Sequence, residues 1–61
     1  MTMIVNTTQG KCANRAGDLI CLGIPFEIRI DGPYAYQIWV EDSISVKATQ
    51  ALAKYSSENY A

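Results

Sequence analysis

The stretch PFEIRIDGPYAYQIWVE, residues 25–41, decides the fold of this chain. Apolar and polar residues alternate on both sides of its central Gly-Pro, a pattern typical of two strands joined by a turn. A loop of three residues, 32–34, places the apolar residues of both strands on one face, whereas a loop of two residues mixes polar and apolar residues. We therefore predict a hairpin with one apolar and one polar face. Its apolar pairs are Ile30 with Tyr36, Ile28 with Ile38 and Phe26 with Val40.

The residues before the hairpin predict one strand and one helix. Residues 2–7 are β-branched or apolar, which is typical of a strand. A helix follows from Gln9 to Leu22; Gly23 suits the position just past its end, and Pro25 prevents continuation. At about 100° per residue, one stripe of this helix faces the core. The stripe consists of Cys12, Ala16, Leu19, Ile20 and Gly23, with Asn14, Arg15 and Asp18 away from it.

The residues after the hairpin predict a second helix. Asp42 or Ser43 is a good N-cap, and the helix runs to about Ser56. Residues 57–61 are expected to form a frayed tail, so the chain is one domain of 61 residues, ordered over about 2–56. The core-facing stripe of this helix is Ile44, Ala48, Ala51, Leu52 and Tyr55.

The order of these elements predicts an α+β fold of the type βαββα. A crossover followed by a hairpin gives a three-stranded antiparallel sheet in the order 1-3-2, with both helices on one face. This is a truncated ferredoxin-like arrangement that lacks its last strand. The first strand, with Ile4 at its middle, is then an unpaired edge to which another chain can add.

Composition excludes several classes of function. The chain contains no His, which removes the usual general base and most zinc sites, so we predict no enzyme, cofactor or metal site. Cys12 and Cys21 lie nine residues apart on one helix, about 13 Å along its axis, too far for a disulfide. The start lacks a signal-peptide pattern and no apolar run reaches the ~20 residues of a membrane span, which predicts a cytoplasmic protein.

The polar face of the hairpin carries the candidate partner-binding residues. Trp39 lies there with Glu27, Arg29 and Gln37. One interpretation is ordinary packing, with the indole covered by the stem of Arg29 or by a cross-strand neighbour. A second interpretation is that Trp39 anchors an interface, because Trp and Arg are enriched at binding hot spots. A third, base stacking in a nucleic-acid-binding regulator, is opposed by Glu27 and Glu41, which repel phosphates.

Three segments carry a resemblance to known domains: residues 23–28 (GIPFEI), 38–42 (IWVED) and 51–55 (ALAKY). Over about residues 12–57, the chain resembles the small N-terminal cytoplasmic domain of bacterial rhomboid proteases and the related family of small signal-transducing domains. The resemblance implies a βαββα accessory or interaction domain. It does not imply protease activity, because the membrane part that holds the catalytic Ser and His has no counterpart in this sequence.

These observations predict a small non-catalytic module that binds or inhibits a protein partner. It would use its open sheet face and its free strand edge, and a chain this small is expected to gain support by forming a homodimer or higher oligomer. Such a product also fits a phage or mobile element that regulates a host protein. The alternative is a nucleic-acid-binding regulator that uses the same sheet face.

Overall fold

The computed structural model describes the backbone of residues 1–60 and the side chains of residues 1–57. It confirms the predicted α+β fold, a three-stranded antiparallel sheet in the order β1-β3-β2 with two helices. The elements are β1 (Thr2–Thr7), α1 (Gln9–Leu22), β2 (Glu27–Ile30), β3 (Tyr36–Val40), a 3-10 turn (Asp42–Ile44) and α2 (Ser45–Tyr60).

The β2–β3 hairpin has the predicted three-residue loop. The Asp31 N–H donates to the Ala35 carbonyl at 2.9 Å, which closes the loop over residues 32–34. Gly32 has a φ of 112°, in the region that favours glycine. The predicted pairs of Ile28 with Ile38 and Ile30 with Tyr36 are confirmed. The third pair is not formed within the ladder, because β2 begins at Glu27, one residue after Phe26.

The β1–β3 ladder contains a bulge that the sequence did not indicate. Thr2 and Met3 pair with Val40 and Trp39, but the next paired residue of β1 is Val5, opposite Ile38. Ile4 is therefore an extra residue between two regular stretches. Because of this bulge, the consecutive residues Ile4 and Val5 both pack against the hydrophobic core.

The bounds and the end of α1 agree with the sequence. Gly23 adopts a left-handed conformation with a φ of 71°. Its N–H donates to the Ile20 carbonyl at 3.1 Å, and the Ile24 N–H donates to the Leu19 carbonyl at 3.0 Å. These two bonds form a Schellman motif, which satisfies carbonyls that the helix end leaves without partners.

The core stripe of α1 was predicted correctly for Cys12, Ala16 and Leu19 and wrongly for its flanks. Ile20 is 69% exposed, whereas Asp18 is 3% exposed. The cause is the position of α2, which packs on α1 and, through Ser56, contacts the flank that carries Arg15 and Asp18. There Arg15 lies 3.6 Å from the Asp18 carboxylate and also donates to the Ser56 hydroxyl of α2. Ile20 lies on the opposite flank of the helix, which α2 does not cover.

The predicted end of α2 was wrong. The helix continues through residues 57–60, which were expected to form a tail, because no Gly or Pro interrupts its backbone hydrogen bonds there. Ala61 lies outside the described residues. The core stripe is as predicted, with Ala48 and Leu52 buried and Ile44, Ala51 and Tyr55 half-buried. In the part of the chain that the structure describes, no helix has the length and apolar character needed to cross a membrane.

The helix layer is displaced toward β1. α1 packs on β1 and β3, α2 packs on β1 and α1, and neither helix packs extensively on β2. As a result Ile28 and Ile30, which belong to the apolar face of the predicted hairpin, are 45% and 62% exposed rather than buried. The buried centre lies instead between α1 and β3, where Leu19 and Ile38 are fully buried, and Val40 at the end of β3 is fully buried as well.

Candidate interaction surface

The face of the sheet opposite the helices is organised around Trp39, on the central strand. Trp39 lies between Met3 of β1 and Glu27 of β2, and Gln37 lies between Asn6 and Arg29 in the next row. We call these six residues the Trp39 face: Met3, Asn6, Glu27, Arg29, Gln37 and Trp39. Each strand contributes two of them, so the backbone ladder fixes their spacing.

Arg29 stacks on the indole of Trp39. Its guanidinium carbon lies 4.4 Å from the centre of the ring, within the range of a cation–π contact. The same guanidinium lies 3.4 Å from the Glu27 carboxylate and 3.8 Å from the sulfur of Met1. The side chain of Arg29 therefore covers part of the ring, and Trp39 is half-buried. The packing interpretation predicts that Arg29 covers Trp39, and the structure shows this contact, made through the guanidinium.

The polar end of the indole is satisfied within the face. The Trp39 Nε1–H donates to the Gln37 Oε1 at 3.0 Å. A Trp whose N–H already has a partner offers a partner molecule mainly apolar surface. Arg29 and Glu27, on the exposed side of β2, surround that surface with charges of both signs.

The structure brings together four of the five predicted partner-binding residues: Trp39, Arg29, Glu27 and Gln37. It does not bring Ile4 to them. The bulge turns Ile4 toward the helices, where its side chain is half-buried against the core and lines a groove between β1 and α2. As a partner-binding residue, Ile4 would have to act from the other side of the sheet.

Sequence reasoning missed two parts of the surface. Met3, 41% exposed, completes the Trp39 face, but its place depends on the β1–β3 register, which no hairpin turn fixes. Ile28 and Ile30 form an exposed apolar strip on the opposite face of β2, which we call the β2 strip. The alternating isoleucines of this strip are visible in the sequence, but the same pattern is typical of a strand whose apolar face is buried.

The two cysteines lie in different environments. Cys12 is buried, which raises the pKa of its thiol, whereas Cys21 is exposed; both are free. A raised thiol pKa disfavours the reactive thiolate, which is consistent with Cys12 as a core residue. The residues that the structure describes include no group of three or more His, Cys, Asp or Glu side chains that is placed to hold a metal ion.

No protein-family model, curated protein or solved structure matches this chain. The resemblance to rhomboid N-terminal domains therefore stays a prediction.

Proposed function

We propose that this chain is a non-catalytic protein-binding module that docks a protein partner on its Trp39 face and thereby regulates or inhibits that partner. A cytoplasmic location belongs to the same proposal. The observation that carries it is the stacked pair of Trp39 and Arg29 at 4.4 Å on the central and edge strands of an uncovered sheet face.

The composition of this pair supports a binding role. Trp and Arg are the side chains most enriched among residues that dominate binding energies, and they act from the centre of an interface. Here the indole is held by Gln37 and covered by Arg29, so little conformational freedom remains to be lost on binding. Met3 adds adaptable apolar surface beside them.

The charges of the face favour a protein over a nucleic acid. Arg29 is the one basic residue in the three described strands, and it is paired with Glu27. A surface that binds nucleic acid needs clustered cations to neutralise phosphates. The net charge of the chain is -1, which adds no long-range attraction toward a polyanion.

The β1 edge supports partner binding less well than the face does. Strand addition needs a regular row of free N–H and C=O groups, and the bulge at Ile4 breaks that row. The groove between β1 and α2 is lined by residues of both elements, including Ile4 and Val46. An extended segment placed there would contact apolar side chains without a continuous backbone ladder.

The test is a substitution of Trp39 with a matched aromatic control. Purified chain is used to capture binding proteins from its source cells, and the captured protein is then purified and titrated by calorimetry. We expect Trp39→Ala to weaken binding by about 2 kcal/mol or more, the cost typical of a hot-spot residue. Tyr34→Ala is the control, because Tyr34 is 80% exposed in the hairpin loop and outside the Trp39 face.

Circular dichroism distinguishes a loss of binding contacts from a loss of folding. The Trp39→Ala chain should keep its folded spectrum, since the indole lies outside the core cluster. Equal affinities of the Trp39→Ala and Tyr34→Ala chains would contradict the proposal, as would capture that disappears after nuclease treatment. An unfolded Trp39→Ala chain would reassign Trp39 to structural packing.

A further inference from the structure

The outer edge of β2 is a regular row of free backbone groups. In an antiparallel ladder, successive residues direct their N–H and C=O alternately toward and away from the neighbouring strand. The bond from the Asp31 N–H to the Ala35 carbonyl sets this alternation, so Glu27 and Arg29 point toward β3. Ile28 and Ile30 therefore direct their N–H and C=O groups to the open edge. The β2–β3 register runs without a bulge.

The same edge carries uncovered apolar side chains. Ile28 and Ile30 of the β2 strip lie on the helix side of the sheet, yet neither helix packs extensively on β2. Free backbone groups beside an exposed apolar strip are the two features that strand-to-strand association uses.

We propose that two copies of this chain pair antiparallel through their β2 edges, about a two-fold axis that passes between the two Ile28 residues. The occupant of the edge is a second copy because β2 is complementary to itself in this register. With Ile28 opposite its own copy, Glu27 lies opposite Arg29 of the second copy, and Arg29 lies opposite Glu27. Two ion pairs then form on the outer face, and Phe26 lies opposite Ile30 on the helix side.

Other registers are less favourable. With Arg29 opposite its own copy, two guanidinium groups face each other and Glu27 faces Asp31, which places like charges directly across the ladder. With Ile30 opposite its own copy, Ile28 faces Gly32, a turn residue with a φ of 112°. In a register shifted by one residue, no residue faces its own copy, and Ile28 lies opposite Arg29 of the second copy. The helices of the two copies then lie on opposite sides of the joint sheet.

The β2 edge is also better suited to pairing than the β1 edge. β1 has a bulge at Ile4, the device by which exposed edges avoid pairing. The joint sheet through β2 would have six strands in the order 1-3-2-2-3-1. This association uses the backbone edge of β2 and Ile28, which lie outside the Trp39 face, but its ion pairs share Glu27 and Arg29 with that face. Cross-linking through residue 28 tests the dimer without changing the Trp39 face, so failure of the dimer and failure of the proposed function can be told apart.

Cysteine cross-linking tests the position of the axis. In a Cys21→Ser background, which removes the exposed native thiol, Ile28→Cys side chains face each other in the dimer. Directly opposite residues have Cα atoms about 5.5 Å apart, within the range of a disulfide. Ile30→Cys is the matched control, because the two copies of residue 30 lie about 13 Å apart along the strands. Both positions carry exposed isoleucines on one strand, so both chains should fold.

We expect a disulfide-linked dimer of the Ile28→Cys chain on a non-reducing gel and monomer for the Ile30→Cys chain. Cross-linking through Ile30→Cys, or through Arg29→Cys, would overturn the proposed register. A Cys21→Ser chain that remains monomeric at submillimolar concentration in sedimentation equilibrium would overturn the dimer itself.

Charge reversal gives an independent measurement. Glu27→Arg replaces both cross-axis ion pairs with repulsion and should weaken dimerisation about tenfold. The double change Glu27→Arg with Arg29→Glu restores opposite charges across the axis, and its dissociation constant should return to within about threefold of the original. A double variant as weak as the single one would contradict the pairing of residue 27 with residue 29.

Discussion

Asp42 shows how a single side chain can have a different role from the one its position in the sequence indicates. Asp42 or Ser43 was predicted as the N-cap of the second helix, but α2 begins only at Ser45. The Asp42 Oδ1 instead accepts a hydrogen bond from the Thr2 hydroxyl at 2.6 Å. The N-terminal ammonium lies 3.3 Å from the same atom. These contacts, the Thr2 hydroxyl first, lower the pKa of the Asp42 carboxyl. Asp42 thus ties the start of β1 to the turn before α2.

These contacts of Asp42 make the stability of the fold depend on pH. The pKa of Asp42 is lower in the folded chain than in the unfolded chain. Asp42 therefore stabilises the fold at pH values above the ordinary Asp pKa, and this stabilisation is lost as the pH falls through the pKa of the folded chain. Asp42→Asn should lower the melting temperature at neutral pH, and the difference should vanish in acid. Thr2→Val should raise the Asp42 pKa measured by NMR. A pH-independent difference between Asp42→Asn and the original chain would contradict this assignment.

Two neighbouring residues of α1 show how far helical periodicity can predict the burial of a single side chain. Leu19 and Ile20 both belong to the predicted stripe, but Leu19 is fully buried and Ile20 is 69% exposed. Periodicity places a residue on a face of the helix, but which flank is covered depends on the neighbouring elements. The position of α2 relative to α1 is a tertiary property, and the burial of Asp18 follows from it.

Gly17 in α1 and Gly23 just past its end are predicted to respond in opposite directions to the same substitution. A Cβ atom at Gly17 or Gly23 would meet no atom within 4 Å, so only backbone conformation decides. Gly17 lies in the helix interior, where Ala is favoured by up to about 1 kcal/mol. Gly23 has a φ of 71°, where a Cβ costs about 1 kcal/mol or more.

Urea unfolding of the two variants measures this difference. Gly17→Ala should raise the midpoint and Gly23→Ala should lower it, with equal slopes. A midpoint raised by both substitutions would show that the left-handed end of α1 is not maintained in solution.

Elements were predictable where a residue of special chemistry marks a boundary. Gly23 and Pro25 mark the end of α1, and its bounds agree with the sequence. The hairpin register was also predictable, because only one loop length keeps the apolar residues on one face. The end of α2 has no such residue, and the bulge at Ile4 has no sequence signal, since β1 is joined to β3 across a long connection.

The molecule as a whole is stabilised unevenly. Ile38, Val40 and Leu19 are fully buried at the side of the sheet that the helices cover, whereas every residue of β2 is exposed. β2 is attached mainly through its ladder with β3. Amide hydrogen exchange at a protein concentration that keeps the chain monomeric should reflect this arrangement.

We expect the amides of Glu27 and Arg29, which point toward β3, to exchange more slowly than those of Ile28 and Ile30. The amide of Ile38, in the buried centre, should be slower than all four. Equal protection along β2 in the monomer would contradict the alternation from which the free edge is inferred. NMR with exchange into heavy water provides the measurement residue by residue.

Four of the six residues of the Trp39 face were predictable, because their common face needs only the parity of one hairpin. Glu27, Arg29, Gln37 and Trp39 share a face in any hairpin with that loop, and the structure places them so. The exposure of the β2 strip was not predictable, because alternation shows which face is apolar but not whether a helix covers it. That depends on the displacement of both helices toward β1.

The bulge at Ile4 also bears on how the length of this chain can change. On either side of it, every paired residue of β1 keeps a regular partner in β3. Removing Ile4 would therefore join two stretches that are already in step, and no other side chain of β1 would change face. A deletion at Met3 or Asn6 would instead remove a residue that has a partner in the ladder. Ile4 is thus the position at which a shorter relative of this chain would be expected to carry its gap.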